Sequence, residues 1–218
     1  MKDENLDPLQ SIELIEKMIN KAKGGYHDSG IGALLWGTVV TVCALVSWSE
    51  IHYKYDFPFD VWMLTFIAVA PQIFISIRER KKRKVLRYED AAMGYIWSVF
   101  GFSVFLLILI NVNLVHNLNP VLDEYKKLHS AAKQFNYFDY SSSLFLLLYG
   151  IPTIITGGIT KFKPMLWGGL FCWVCCIAAI YTNIETDMLL IAAAAIVAWL
   201  IPGIILRKKY LNKEECNV

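Results

Sequence analysis

Residues 63–84 read MLTFIAVAPQIFISIRERKKRK, an apolar run that ends abruptly in a dense cluster of cations. A hydrocarbon core of about 30 Å needs roughly 20 apolar residues in a crossing helix, and this run with the residues before it is long enough. Cytoplasmic loops of membrane proteins carry an excess of lysine and arginine, so the basic part indicates the cytoplasmic end. The stretch predicts a membrane helix together with its direction.

The same charge asymmetry extends along the whole chain, across the connections between six apolar runs. Only four of the 21 lysines and arginines lie on the opposite side: Lys54, Lys126, Lys127 and Lys133. The bias predicts a multi-pass membrane protein with six transmembrane helices and both termini in the cytoplasm. Charged residues make up 18% of the chain, below the roughly 25% of soluble domains, which agrees with this class.

The predicted fold is all-α, a polytopic membrane helical bundle in one transmembrane domain over residues 27–210. The six spans are expected at about 31–50, 57–77, 91–113, 141–160, 165–183 and 188–206. Residues 211–218 form a cytoplasmic tail.

Two further helices are expected beside the spans. Within residues 1–26, apolar residues recur at helical spacing over 8–23, which is typical of an amphipathic helix on the cytoplasmic membrane surface. The long outer loop between the third and fourth spans carries a similar apolar stripe over about 120–135, beginning at Asn119-Pro120.

An internal repeat relates the spans in pairs. Odd-numbered spans open with a tryptophan near the cytoplasm and even-numbered spans carry an internal proline; these residues are Trp36, Trp97 and Trp167, and Pro71, Pro152 and Pro202. We interpret the repeat as three helical hairpins in the same orientation, related by an axis along the membrane normal. The tryptophans themselves are best explained as interfacial anchors.

The internal prolines have two interpretations, since each leaves a carbonyl four residues earlier without its usual donor. Three kinks could surround a cytoplasm-facing vestibule. Its candidate residues are Pro71, Gln72, Ser76, Pro152, Thr153, Thr156, Thr160 and Pro202. Alternatively, neighbours or water satisfy the freed groups, as is common in membrane helices, and we favour this interpretation.

Two other features have a structural and a functional interpretation. Gly157-Gly158 and Gly168-Gly169 would let the fourth and fifth spans approach closely, with a hinge as the alternative. The basic run is a topology signal, and it could also attract anionic lipid headgroups at about 1 kcal/mol per charge. The candidate lipid contacts are Arg78, Arg80, Lys81, Lys82, Arg83 and Lys84.

Signs of chemistry are scarce. No Asp, Glu, Lys, Arg or His lies near the centre of a predicted span, which argues against a proton-coupled transporter or pump. No phosphate-binding loop or dinucleotide turn occurs, and the outer histidines His52, His116 and His129 match no metal-ligand spacing. We therefore expect no catalytic residue, no cofactor and no metal.

Four segments resemble a family of uncharacterised six-span membrane proteins common in Bacteroidota. They are IEKMI at 15–19, GIGALLWG at 30–37, KPMLWGG at 163–169 and IPGIIL at 201–206. The resemblance covers nearly the whole chain and implies a single module in a bacterial cytoplasmic (inner) membrane. It implies no activity, substrate or catalytic residue.

The leading functional hypothesis is a non-enzymatic regulatory or accessory protein that binds a partner or lipid, because helix 8–23 would lie beside a basic face. The alternative is a transporter or channel for a neutral small molecule, suggested by the repeat and the kinks. A lipid-modifying membrane enzyme ranks last, since only outer histidines and acids support it. Expected partners are membrane lipids and a protein at the cytoplasmic face, with no nucleic acid.

Overall fold

The computed structural model describes residues 29–82, 88–128 and 138–215, and within these ranges the chain is helical without any strand. The helices are α1 (Ile31–Tyr53), α2 (Met63–Lys82), α3 (Tyr88–Leu128), α4 (Phe138–Ile159), α5 (Lys163–Ala179), α6 (Ile184–Ala195) and α7 (Ile201–Glu215). A π-helical segment, Ile196–Leu200, joins α6 to α7 and is called the π segment below. The all-α prediction is confirmed, while the predicted helix 8–23 lies outside the described residues.

Four helical stretches are long and apolar enough to cross a membrane. They are Ile31–Tyr53, Ala91–Tyr125, Tyr140–Ile159 and Ile184–Asn212. The apolar helix α5 is shorter, at 17 residues or about 26 Å. The apolar part of α2 ends where Arg78 begins the basic run. The prediction of apolar helices with the length that a membrane crossing needs is therefore confirmed for four of them.

The centre of the bundle is formed by α1, α4, α5 and the continuous rod of α6, the π segment and α7. The most extensive packing joins α4 to α5, and α1 packs along α6 and the π segment. Leu146, Cys172, Ala194 and Ala198 are almost fully buried there. By contrast, α2 packs chiefly on α1 and α3 chiefly on α4, so both are peripheral.

The second predicted span begins later than expected, at Met63 instead of residue 57. Residues 55–60 are exposed and non-helical, and their aromatic rings contact each other. The ring centre of Tyr55 lies 6.2 Å from that of Phe57, and the ring centre of Phe57 lies 5.3 Å from that of Phe59. Asp60 then accepts a hydrogen bond from the backbone N–H of Trp62 at 2.9 Å, which favours a helix start just beyond. Apolar residues here belong to an aromatic loop.

The prediction that a separate outer helix begins at Pro120 is wrong. Instead, α3 continues without a break from Tyr88 to Leu128. Pro120 lies inside this helix, and the carbonyl it cannot serve belongs to His116, an exposed residue. The predicted helix 120–135 is therefore an extension of the third span as far as residue 128. Similarly, α7 continues to Glu215, so most of the predicted tail 211–218 is helical.

Side-chain contacts define a basic end of the bundle. Ser29, just before α1, donates a hydrogen bond to the Glu79 carboxylate near the end of α2. Lys209 of α7 places its Nζ 5.3 Å from the centre of the Phe162 ring, at the turn between α4 and α5. A Cβ on Gly30 would lie 2.6 Å from the carbonyl oxygen of Gly203, so α1 also begins against α7.

The opposite end is held by polar contacts between the other helix termini. His52 Nδ1 lies 2.7 Å from Glu185 Oε1, which joins the end of α1 to the start of α6. Asn111 of α3 donates a hydrogen bond of 3.0 Å to the Ser141 hydroxyl near the start of α4. We call this the acidic end, because Glu50, Asp56 and Asp60 also lie beside it.

Candidate functional site

Two of the three internal prolines lie in the packed centre and the third does not. Pro152 and Pro202 are buried, as is Thr156, whereas Pro71 is exposed on the peripheral helix α2. Gln72, next to Pro71, is half-buried against α1, where its Oε1 lies 3.3 Å from the position that a Cβ on Gly32 would occupy. The predicted vestibule residues thus divide between two places in the bundle.

The residue that connects the two buried prolines is Trp199, which the sequence did not single out. Its indole N–H donates to the Thr153 hydroxyl at 2.9 Å, and that hydroxyl donates to the Tyr149 carbonyl at 2.7 Å. Trp199 is three residues before Pro202, and Thr153 follows Pro152. A chain of satisfied hydrogen bonds therefore crosses from the π segment to α4.

Aromatic rings surround this hydrogen-bonded chain. The Trp199 ring centre lies 4.9 Å from that of Tyr149, 6.2 Å from Phe100 and 6.3 Å from Trp97. Phe100 and Trp97 belong to α3, so these contacts are where α3 reaches the core. Edge-to-face aromatic packing of this kind stabilises an interior and leaves little room for a polar path. The feature is called the Trp199 cluster below.

The π segment accommodates Pro202. The backbone N–H of Ile201 bonds to the Ile196 carbonyl five residues earlier, and the carbonyl that Pro202 cannot serve, on Ala198, lies within the segment. Single π turns of this kind occur often at functional sites. They also absorb the register change that an interior proline imposes, which is a sufficient reason for this one.

Two glycines hold the π segment from opposite neighbours. A Cβ on Gly37 of α1 would lie 2.8 Å from the Leu200 nitrogen, and a Cβ on Gly168 of α5 would lie 2.5 Å from the Ala198 Cα. Each glycine follows one of the repeated tryptophans, Trp36 or Trp167. Corresponding positions of the first and third predicted hairpins thus contact the same segment.

The predicted close approach of the fourth and fifth spans is confirmed. Two of the four predicted glycines, Gly157 and Gly169, make it. A Cβ on Gly157 would lie 2.5 Å from the Leu166 nitrogen, and a Cβ on Gly169 would lie 2.9 Å from the Ile154 nitrogen. Gly168 instead faces the π segment, and Gly158 has open space beside it. Small residues allow backbones to approach in this way.

Two polar side chains are more buried than their sequence positions suggested. The Thr156 side chain is buried, and its hydroxyl has no hydrogen-bond partner within the described part of the chain. Asp187 is fully buried and accepts a hydrogen bond from Thr182 at 2.5 Å, although its place beside a turn suggested a solvated acid. Its spacing from Ile191, Ala195 and Ala198, which are all buried, was the signal that could have found it.

The candidate lipid contacts lie at the basic end and are exposed where the structure describes them. Arg78, Arg80 and Lys81 follow the apolar part of α2, and no described carboxylate lies within ion-pair distance of their cations. Lys82 closes the helix, and Arg83 and Lys84 lie outside the described residues. Other exposed cations at this end are Lys161, Lys163, Lys208 and Lys209.

The acidic end carries an open pocket of about 400 Å³, lined by Glu50, Ile51, Tyr55, Asp56, Phe57, Phe59 and Asp60. Within the ranges that the structure describes, no three histidine, cysteine or acidic residues come together in a way that could hold a metal ion. Comparison with protein-family models, curated proteins and solved structures finds no match to the chain.

Proposed function

We propose that the chain is a six-span protein of a bacterial cytoplasmic membrane that binds anionic lipid headgroups and a protein partner through its basic end. In this proposal both termini lie in the cytoplasm, and the protein is a non-enzymatic accessory or regulatory protein. The observation that carries it is the set of exposed cations at one end of an apolar bundle, without described carboxylates to pair with.

Six crossings are supported by the way α2 and α5 connect the two ends. The Ser29–Glu79 contact brings the end of α2 to the end at which α1 begins, although α2 starts after a loop at the acidic end. Likewise, α5 starts beside Phe162 at the basic end and leads to the turn before Glu185 at the acidic end. Both helices therefore run between the ends that the four longer helices define.

Lipid binding follows from the electrostatics of the basic end. Cations that lie close together repel each other, and no described carboxylate lies within ion-pair distance of Arg78, Arg80 or Lys81. Anionic headgroups would neutralise these cations, at about 1 kcal/mol for each lysine or arginine near the surface. The excess of cations would also fix this end in the cytoplasm, so one feature serves topology and recognition.

Transport of a neutral solute is supported less well. A cytoplasmic vestibule would need its prolines and threonines around one opening, whereas Pro71 lies on a peripheral helix and Pro152 is packed in the core. The Trp199 cluster occupies the region between α4 and the π segment. These positions fit the structural interpretation of the prolines better than the functional one.

Native mass spectrometry of the full-length protein from mild detergent tests the proposal. Phosphatidylglycerol and phosphatidylethanolamine with identical acyl chains are added separately, and the retained lipid and subunit number are read from the mass. We expect preferential retention of phosphatidylglycerol. Equal retention of the two lipids would contradict lipid recognition by charge.

The partner is tested separately by co-purification. Deletion of residues 1–25 removes the predicted amphipathic helix, and we expect the set of co-purifying proteins to change. If both the proteins and the retained lipids are unchanged, the accessory role loses its basis.

A further inference from the structure

The described helices pack on their neighbours in chain order with one exception. Extended contacts join α1 to α2, α3 to α4, α4 to α5 and α5 to α6, and α6 packs back on α1. Between α2 and α3 the described residues make no extended contact. The circuit of helices is therefore open at one place, which we call the α2–α3 gap.

Both helices beside the α2–α3 gap carry exposed apolar side chains. On α2, Ile67 and Phe74 are each 67% exposed; on α3, Tyr95 is 75% and Val99 is 64% exposed. A Cβ added at Gly94 would meet nothing within 4 Å, which also indicates open space beside α3. An apolar occupant is needed here, because unpaired polar groups would be costly at this depth.

The chain limits the width of the gap at the basic end. Lys82 ends α2 and Tyr88 begins α3, and a chain of that length spans at most about 20 Å when fully extended. That distance admits lipid acyl chains or a single helix, whose diameter with side chains is about 10–12 Å. The width of the gap is therefore compatible with a lipid or a helix, and the charges beside the gap distinguish the two.

The short apolar length of α2 places its cations deep. The apolar part, 63–77, is only about 23 Å long, whereas the hydrocarbon core is about 30 Å thick. Such a mismatch thins the bilayer locally or draws flanking residues toward the acyl boundary. Arg78, Arg80 and Lys81 would consequently lie at the level of lipid phosphates and not above them.

The two arginines cover different sides of α2. Arg78 follows Phe74 by four residues and shares its face, and Arg80 follows Ile73 by seven residues and shares the other exposed face. A headgroup on either side of the helix therefore meets a guanidinium, which can bind phosphate through two parallel hydrogen bonds.

We propose that the α2–α3 gap holds one anionic phospholipid, with its acyl chains between the two helices and its phosphate on Arg78 and Lys81, which continue the α2 face of Ile67 and Phe74. An amphiphile with an apolar body and a single anionic head complements both the exposed apolar side chains and the cations, for which no described carboxylate lies within ion-pair distance. An apolar partner helix would cover the apolar side chains and supply no anion. This site deepens the proposed function and rests on it, since it requires the basic end to lie at a membrane surface.

Photo-cross-linking locates the lipid. The full-length protein is reconstituted with phosphatidylglycerol carrying a photoreactive acyl chain, and the cross-linked peptides are identified by mass spectrometry. We expect cross-links on both α2 and α3, at several times the yield found at Val174 and Ile177 of α5, which are 62% and 61% exposed. Even labelling of all exposed helices would overturn the site and leave general binding by the basic end intact.

Charge variants give a second, independent readout in the native mass spectrum. The variant R78Q/R80Q/K81Q is compared with K161Q/K163Q/K208Q, which removes the same charge from exposed positions at the same end. The first should lose retained phosphatidylglycerol by roughly tenfold to a hundredfold and the second by much less. Equal losses would refute the site while supporting a diffuse basic face, and no loss in either would refute both proposals. A dimer mass with cross-links between two copies at the gap would assign it to a second chain instead.

Discussion

The indole N–H of Trp199 and the hydroxyl of Thr153 form a buried hydrogen bond of 2.9 Å between residues 46 positions apart. This bond connects the π segment to α4 beside two prolines that sequence reasoning had grouped only by their spacing. It explains how the proline-containing parts of two helices can pack without leaving the indole donor unsatisfied. The centre of the bundle is therefore expected to be a rigid element, and the next predictions test this.

The hydroxyls of Thr153 and Thr156 should differ in their contribution to stability. Thr153→Val removes the acceptor of Trp199, and we expect a loss of about 1 kcal/mol in the free energy of unfolding, the size found for hydrogen bonds between membrane helices. Thr156→Val replaces a hydroxyl without a described partner and should be neutral or stabilising. Unfolding in mixed detergent micelles measures both, and a larger loss for Thr156→Val would contradict this assignment.

Glycine substitutions test the close contacts of the π segment. Gly168→Ala would place a Cβ 2.5 Å from the Ala198 Cα, so the helices must separate, at a cost of about 1–3 kcal/mol. Gly158→Ala is the matched control, because nothing lies within 4 Å of its Cβ position and alanine favours the helix by about 0.5–1 kcal/mol. The melting temperature should fall for the first variant alone. Two equal shifts would show that α5 does not approach the π segment as described.

Two acids in the first turn of α6 should contribute unequally. Asp187 is fully buried and accepts a hydrogen bond from Thr182, whereas Glu185 is about half exposed beside His52. Asp187→Ala should destabilise the fold by roughly 1–3 kcal/mol, because the buried Thr182 contact is lost. Glu185→Ala removes an exposed pair and should cost less than about 1 kcal/mol. A larger destabilisation for Glu185→Ala than for Asp187→Ala in unfolding experiments would contradict the burial of Asp187.

The helices could be predicted from apolar run lengths because each run had to be buried in lipid or protein. The predicted helix starts were less accurate where apolar residues belong to a loop or where a proline lies inside a helix. Phe57 and Phe59 lengthened the second predicted span, but they belong to an aromatic loop that ends at Asp60, whose carboxylate accepts the Trp62 N–H just before the helix. Pro120 was predicted as a helix start, yet α3 continues through it, and the carbonyl left without its usual donor belongs to the exposed residue His116. Both differences come from tertiary or solvent partners that a local pattern does not contain.

The candidate site was predictable only in part. Pro152 and Pro202 are near each other through Trp199, but Pro71 is not, because α2 contacts the core only through α1. Nothing in the local sequence indicated the role of Trp199, because its hydrogen-bond partner Thr153 lies on another helix. The basic run was the most visible feature of the chain, whereas no pattern in the sequence indicated that α2, which carries its described part, makes no extended contact with α3.

The proposed function requires a bundle with six crossings and with its basic end in the cytoplasm. Reporter fusions after residues 25, 56, 85, 130, 162, 185 and 213 measure this directly, using one reporter active only in the cytoplasm and one active only outside it. We predict cytoplasmic activity at 25, 85, 162 and 213, and external activity at 56, 130 and 185. A chain whose positions 85 and 56 report the same side, or whose basic end reports the outside, would contradict the account.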